Sequence, residues 1–339
     1  MSMDDVEAAG YVKMDLLGLA ALTAVSNVLR MIGRNPMDGL EWIPENDKAT
    51  FKTLQSGEVG TGIFQFEGYS TAIGARKMGI RSVQDAIRCL ALFRPAAMKS
   101  GHTDEYLEHR ANRANVEHLH PVFEEATKDT FGVFVFQDQV IDVLRGLGMD
   151  YADLNDMLKA VKASNLLIAS AEQTFKRIRP IFHQLCLDAG MTESVARKAW
   201  DKVLDFSDYG FNYAHATAYG LLAYRIAYLK THHPLDFMCG LLQMAAGGKK
   251  EPQYQAEARR MKIRIRRVNV NKSGLTWSHD GTDLFRGFLS VKGIGPVMAE
   301  KLLDAREDGP FTSLEDLTLR CGKGIANKLS DASALGDLE

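Results

Sequence analysis

The chain of 339 residues has only four cysteines, Cys89, Cys186, Cys239 and Cys321, and they are scattered singly. With no Cys-x-x-Cys pair, no disulfide-like spacing and no secretory signal, the expected setting is a reducing cytoplasm. The chain also lacks a run of the roughly 18–20 apolar residues that a membrane helix needs. Its most apolar region, Ala214 to Ala246, is interrupted by Arg225, Lys230, His232, His233 and Pro234 and reads as two buried helices. No membrane partner is expected. A large net charge is missing too: the formal value of −2 excludes a globally basic nucleic-acid binder but leaves a local basic groove open. Gly-rich phosphate loops, His/Cys metal clusters, nucleophile elbows, low-complexity segments and long repeats are absent, so none of the chemistries that announce themselves by a short motif applies.

What is present is an ordinary globular composition, 46% hydrophobic and 25% charged, on a chain long enough for two or three domains. Tyr11 to Asp15 alternates as a short strand, with Lys13 and Asp15 on one side, and leads into a helix from Leu16 to Met31. A polar link from Gly33 to Asp47 precedes a short helix at Lys48 to Leu54. Thr61 to Glu67 alternates in a β-like way, and Ser70 to Leu92 is helical in pattern until Arg94-Pro95 stops it. A polar stretch, Lys99 to His120, separates this from a second apolar run, Phe131 to Gln137. Helices follow at Asp138 to Leu147, Ala152 to Val161, Leu166 to Ala189 and Thr192 to Phe206, the last capped by Thr192. Gly247 to Pro252 is a polar break, after which Tyr254 to Met261 is helical and Ile263 to Val270 a basic strand.

Three segments and one isolated carboxylate have chemical potential. Leu289 to Leu303 has the form of a helix-hairpin-helix element. Lys292, Gly293, Ile294 and Gly295 make the tight turn, Pro296 takes the first helical position, Lys301 adds a cation, and free backbone N–H groups there can hold a phosphate without reading base sequence. A generic Gly-turn-helix connection remains the alternative. Gly322 to Gly336 reads as a weaker second copy, following a helix capped by Thr312 with Glu315 three residues on. Arg259, Arg260, Lys262, Arg264, Arg266 and Arg267 put six cations in nine residues, which fits phosphate contact and a solvated edge strand equally. Tyr209 to Tyr219 is a run of aromatics and small residues in which Asn212 and His215 fit either a substrate-facing loop or packing against a core helix. Asp15 is a single carboxylate where two-metal chemistry needs several, so a charged strand end is the simpler reading of it alone.

Taken together and in order, several blocks resemble the C family of bacterial replicative DNA polymerases, the polymerase III alpha subunits. They are Val12 to Leu19, Gly62 to Glu67, Ala91 to Pro95, Phe131 to Val140, Gly210 to His215 and Leu229 to Pro234, ending in the hairpin element. The resemblance covers nearly the whole chain. It implies a mixed α+β, predominantly α fold: the last strand of a nucleotidyltransferase-like palm at residues 1–20, helical fingers at 21–270 and a helix-hairpin-helix DNA-binding module at 271–339. It also implies that Asp15 is the third metal-binding carboxylate of the palm, with Lys13 beside the phosphates of the incoming nucleotide. Arg94, Lys159, Asn212 and His215 would lie near nucleotide or template, and Lys292, Gly293, Ile294, Gly295 and Lys301 would contact DNA. The implied reaction joins a primer 3′-hydroxyl to a deoxynucleoside triphosphate with two Mg²⁺ ions on a primer-template.

The chain departs from that pattern in places. Its fingers loop is reduced to Leu158-Lys159-Ala160-Val161-Lys162-Ala163-Ser164, Tyr213 stands where a lysine is expected, and Ala96-Ala97 follows Arg94-Pro95 where Gly-Pro is usual. The family's first two palm carboxylates come from a motif upstream of the third. The expectation is therefore a split polymerase, of phage or other mobile-element origin, whose partner chain supplies those carboxylates and without which the chain is inactive. A noncatalytic DNA-binding or regulatory remnant is the alternative, and a truncated gene product a third reading.

Overall fold

In a computed structural model of the chain, the described residues are all except 1–5, 7, 8, 13, 15–17, 57–60, 165–168, 208, 209 and 339. Among them are seventeen α-helices and one small sheet, the predominantly helical α+β class expected. The helices are α1 (Ala20–Met31), α2 (Lys48–Gln55), α3 (Tyr69–Met78), α4 (Val83–Leu92), α5 (Pro95–Lys99), α6 (His102–Ala111), α7 (Pro121–Thr127), α8 (Gln137–Gly146) and α9 (Tyr151–Ser164). They continue with α10 (Ala169–Asp188), α11 (Glu193–Ser207), α12 (Tyr213–His232), α13 (Pro234–Ala245), α14 (Glu251–Arg260), α15 (Pro296–Glu307), α16 (Leu314–Cys321) and α17 (Lys323–Asp331). The chain divides into two compact units, residues 41–231 and residues 1–40 with 232–339.

In the unit 41–231, α12 is the organising element. Gly220 lets it approach α4 so closely that a Cβ there would lie 2.9 Å from the Ile87 Cα. Tyr224 on the same helix is fully buried, its ring 5.2 Å from Phe51 on α2, and its hydroxyl accepts from the Asp47 N–H. Asp47 in turn caps α2, accepting from the Thr50 N–H at 2.7 Å. A second apolar core joins α7 through α11, with Phe134, Phe182, Trp200 and Phe206 interlocking at ring distances of 5.4–5.5 Å where they touch.

In the other unit, α13 packs on α1 through Gly240, where a Cβ would stand 3.0 Å from the Ala24 carbonyl oxygen. The sheet comprises β1 (Ile265–Arg266), β2 (Ser278–His279) and β3 (Leu284–Phe285) in the order β1-β3-β2. β1 runs parallel to β3, pairing Ile265 with Leu284, and β2 runs antiparallel to it, pairing Ser278 with Phe285. Val270, Phe288, Leu302, Leu317 and Leu329 form the core under α15, α16 and α17. Burial raises the thiol pKa of all four cysteines, that of Cys239 to about 12, so they behave as packing groups.

Several expected elements are corrected. Residues 61–67 form no strand: Gly62 and Gln65 take left-handed conformations, Phe66 N–H donates to Ile63 O, and the Glu67 carboxylate accepts the Gly62 N–H at 2.8 Å, closing a tight turn. The single helix expected over Ser70 to Leu92 is two, because Gly79 ends α3 at φ 60° and Ser82 caps α4. The polar stretch 99–120 contains α6 and α7 begins directly after it. The basic strand shrinks to Ile265–Arg266, since Val268 and Val270 turn into the core and the Val270 N–H donates to Ala334 O. Ser313, not Thr312, caps α16; Thr312 stands one residue outside, its N–H bonded to Asp316. Tyr11, Val12 and Met14 belong to no strand, helix α1 begins at Ala20 rather than Leu16, and Lys13 and Asp15 lie outside the described residues.

Candidate functional site

Within the unit 41–231 the exposed candidates gather at the start of α12. Asn212 is the residue before that helix, and its Oδ1 accepts the His215 N–H at 2.8 Å while its carbonyl takes the first helical bond from Ala216. The segment is held from behind by a parallel bridge between Phe136 and Phe211, in which the Gln137 N–H donates to Phe211 O at 2.9 Å. Only glycine fits at position 210, because a Cβ would lie 2.7 Å from the Phe206 ring and 2.9 Å from Gln137 Cγ.

Phe211 is thereby presented as a ring with two neighbours. The Arg94 guanidinium lies over it, 4.4 Å from the centroid, and His215 meets it edge-on at 5.4 Å. Arg94 is placed by Pro95, which opens α5 and forces the preceding residue into the extended region, φ −107° and ψ 150°. His215 also stacks on Tyr219, one helical turn on, at 4.1 Å, and Tyr219 packs against Phe64 of the Gly62–Glu67 turn at 5.0 Å. Arg94, Asn212 and His215 are exposed and lie close together around Phe211. Lys159 does not join them: it is exposed on α9 and, among the described residues, forms no hydrogen bond or ring contact with the three. Phe64, Phe211 and Tyr219 were missed as participants; the His215/Tyr219 spacing of four was the available signal for the last.

The arrangement offers a cation, an imidazole and half-exposed aromatic rings, which suits a phosphate-bearing, base-containing ligand. Tyr213 offers no cation. Its ring meets Phe136 edge-on at 4.9 Å and its hydroxyl stands 3.5 Å from Gln84 Oε1.

In the other unit the hairpin has the geometry its glycines require. Gly293 adopts φ +85°, Ile294 is buried with its N–H bonded to Val291 O, and Gly295 precedes α15 with no side chain capping it. Pro296 starts the helix, so the first-turn N–H groups of Val297 and Met298 have no intrahelical partner. Lys292, Gly293, Gly295 and Lys301 are exposed around this end. Lys328 of α17, which sequence reasoning missed, donates to the Gly293 carbonyl at 2.9 Å and locks the turn. The second copy begins at Gly322, φ +95°, and enters α17 directly at Lys323.

Half of the basic run is neutralised. Arg264 and Arg266 hold the two oxygens of the buried Asp283 at 2.7 and 2.6 Å, and Arg260 pairs with Glu257. Arg266 foremost, and Arg264 with it, keep the Asp283 carboxyl below the usual carboxylate range. That favours the edge-strand reading for Arg264 and Arg266, whereas Arg260 ends helix α14 and pairs within it; Arg259, Lys262 and Arg267 remain exposed.

Among the described residues no group of three or more His, Cys, Asp or Glu side chains could hold a metal ion, so these residues do not by themselves fit a Mg²⁺ site. None of their helices is long and apolar enough to cross a membrane.

Residues 21–176 match the bacterial DNA polymerase III alpha subunit finger domain, and residues 262–338 match a helix-hairpin-helix motif. DNA polymerase III subunit alpha of Pseudomonas fluorescens is 32% identical over 339 aligned residues, covering 96% of this chain and 28% of that protein. The alpha subunit of Bacillus subtilis strain 168 is 31% identical, covering 98% and 29% respectively, and that of Pseudomonas aeruginosa 34% identical, covering 96% and 28%. The chain thus spans less than a third of the length of these relatives. By sequence, and with the finger and hairpin elements in the family's order, it belongs to the bacterial DNA polymerase III alpha-subunit family.

Proposed function

We propose that this chain is the finger and DNA-contacting part of a DNA-directed DNA polymerase that extends a primer with deoxynucleoside triphosphates. The observation that supports it most is the convergence of Arg94, Phe211, Asn212 and His215, residues from two separate family blocks, on one exposed face. In this reading Arg94 and His215 contact the incoming nucleotide, Asn212 holds the helix start that presents them, and Lys159, apart from them on α9, contacts nucleotide or template. Lys292, Gly293, Ile294, Gly295 and Lys301 carry duplex backbone through the helix-start N–H groups and two cations. Asp15 contributes one metal-binding carboxylate with Lys13 beside it. The other carboxylates of a two-Mg²⁺ centre come from outside residues 1–339, on the same polypeptide or a partner chain.

Primer extension with Mg²⁺ and all four nucleotides tests this. The chain alone is expected to make no product; a polypeptide carrying the upstream carboxylates restores synthesis, and Asp15→Asn abolishes it. Failure of every such polypeptide to restore synthesis would contradict the proposal. A second reading, a DNA-binding relative without nucleotide chemistry, is favoured by Tyr213, whose side chain is engaged with Phe136 where a cation is expected. It requires salt-sensitive duplex binding that no nucleotide alters.

A further inference from the structure

We propose that Asp138 is a positioning residue for the candidate nucleotide site, fixing the 211–215 segment so that Phe211 lies between Arg94 and His215. The inference rests on the nucleotide-binding reading of that segment. Tyr213 is the first residue of α12, and its N–H is one of the donors a helix start leaves without an intrahelical acceptor. Asp138, 75 residues away in sequence, accepts that N–H on Oδ2 at 2.9 Å. Asn212 takes the His215 N–H, so two side chains share the first turn, one local and one from α8.

Asp138 is itself held in place. It lies in the first turn of α8, whose entry is fixed by Gln139: the Gln139 Oε1 accepts the N–H groups of Val135 and Phe136, and its Nε2 donates to Ala126 O and Thr130 Oγ1. The anchor side is therefore rigid, and the held side is the exposed one. Three ties join the two: the backbone bridge of Gln137 to Phe211, the edge contact of Phe136 with Tyr213, and the Asp138 carboxylate. Only the last is a polar side-chain contact that a substitution can remove without touching the core. Asp138 also lines a cavity of about 510 Å³ with Arg88, Asp129 and Asp142, so water can replace the carboxylate in an alanine variant and the unit should still fold. The same geometry gives Tyr213 a role: where the resemblance expects a lysine, this chain has a ring that anchors the helix start. Asp138 bonds to the segment and not to the nucleotide, so its influence passes through Phe211, Arg94 and His215.

The test measures hydrogen–deuterium exchange across residues 210–216 of the full chain, together with binding of Mg²⁺–deoxynucleoside triphosphate on a primer-template, for wild type, Asp138→Ala and Asp138→Asn. Loss of one hydrogen bond to a charged acceptor should raise exchange near Tyr213 by roughly tenfold or more in Asp138→Ala, with the unfolding midpoint unchanged. Nucleotide affinity should fall by a similar factor, while DNA affinity without nucleotide stays the same. Asparagine keeps a carbonyl acceptor, so Asp138→Asn should stay within about threefold of wild type in both. Unchanged exchange in Asp138→Ala overturns the proposal, as does faster exchange with unaltered nucleotide affinity. A wild-type chain with no nucleotide response removes the nucleotide reading itself, and the role of Asp138 in it, whatever exchange shows about the clamp.

Discussion

At the scale of single residues, Arg94 does two things at once: it lies 4.4 Å over Phe211 and exposes its guanidinium. A planar cation can stack on a ring and still offer N–H groups to a phosphate; an ammonium cannot do both in the same geometry. Arg94→Lys is therefore expected to lose nearly as much nucleotide affinity as Arg94→Ala, on the order of tenfold, measured by titration on a primer-template. Asp283 yields a pH prediction. Its carboxyl is depressed, first by Arg266, so the stability it contributes is present above the unfolded carboxylate value of about 3.9 and is lost as pH falls through the lower folded value. Asp283→Asn should flatten that part of the stability profile, read from unfolding midpoints between about pH 5 and 2. The Arg94, Asn212 and His215 grouping was legible because each sits in a local block. Asp138 was not, because its partner lies 75 residues away and nothing local marks the pairing.

At the scale of elements, the start of α8 depends on a buried side chain with every polar atom engaged. Gln139→Leu would strand the Val135 and Phe136 N–H groups and two acceptors, a loss of about 2–4 kcal/mol by denaturant unfolding. The hairpin gives a second prediction. Gly293→Ala forces a side chain into φ +85° and within 3.3 Å of Lys328 Cε, costing about 1–2 kcal/mol and weakening duplex binding at fixed salt. Long helices were legible from their apolar spacing, and Thr192 was read correctly as the cap of α11, its hydroxyl accepting the Val195 N–H at 3.4 Å. The turn at 61–67 was not. Phe64 and Phe66 flank Gln65 as in a strand, yet Ile63 and Phe66, three apart, are the buried pair, and the left-handed Gln65 carries no sequence signature. The break at Gly79 was not read either, since an isolated glycine within a helical pattern does not by itself mark a helix end.

At the scale of the whole molecule, family membership was legible because six blocks keep their order along nearly the full chain, a pattern that no composition or charge statistic shows. The alignment with polymerase III alpha subunits at 31–34% identity bears that out. The assignment of nucleotide and DNA roles to individual residues is a proposal that one binding measurement reaches most directly. Equilibrium affinity of the chain for a primer-template, at fixed salt and with Mg²⁺, should tighten when the complementary deoxynucleoside triphosphate is added. It should not tighten with the three mismatched nucleotides, and the effect should vanish with Arg94→Ala. The same affinity with and without the complementary nucleotide, in wild type and Arg94→Ala alike, would contradict the account.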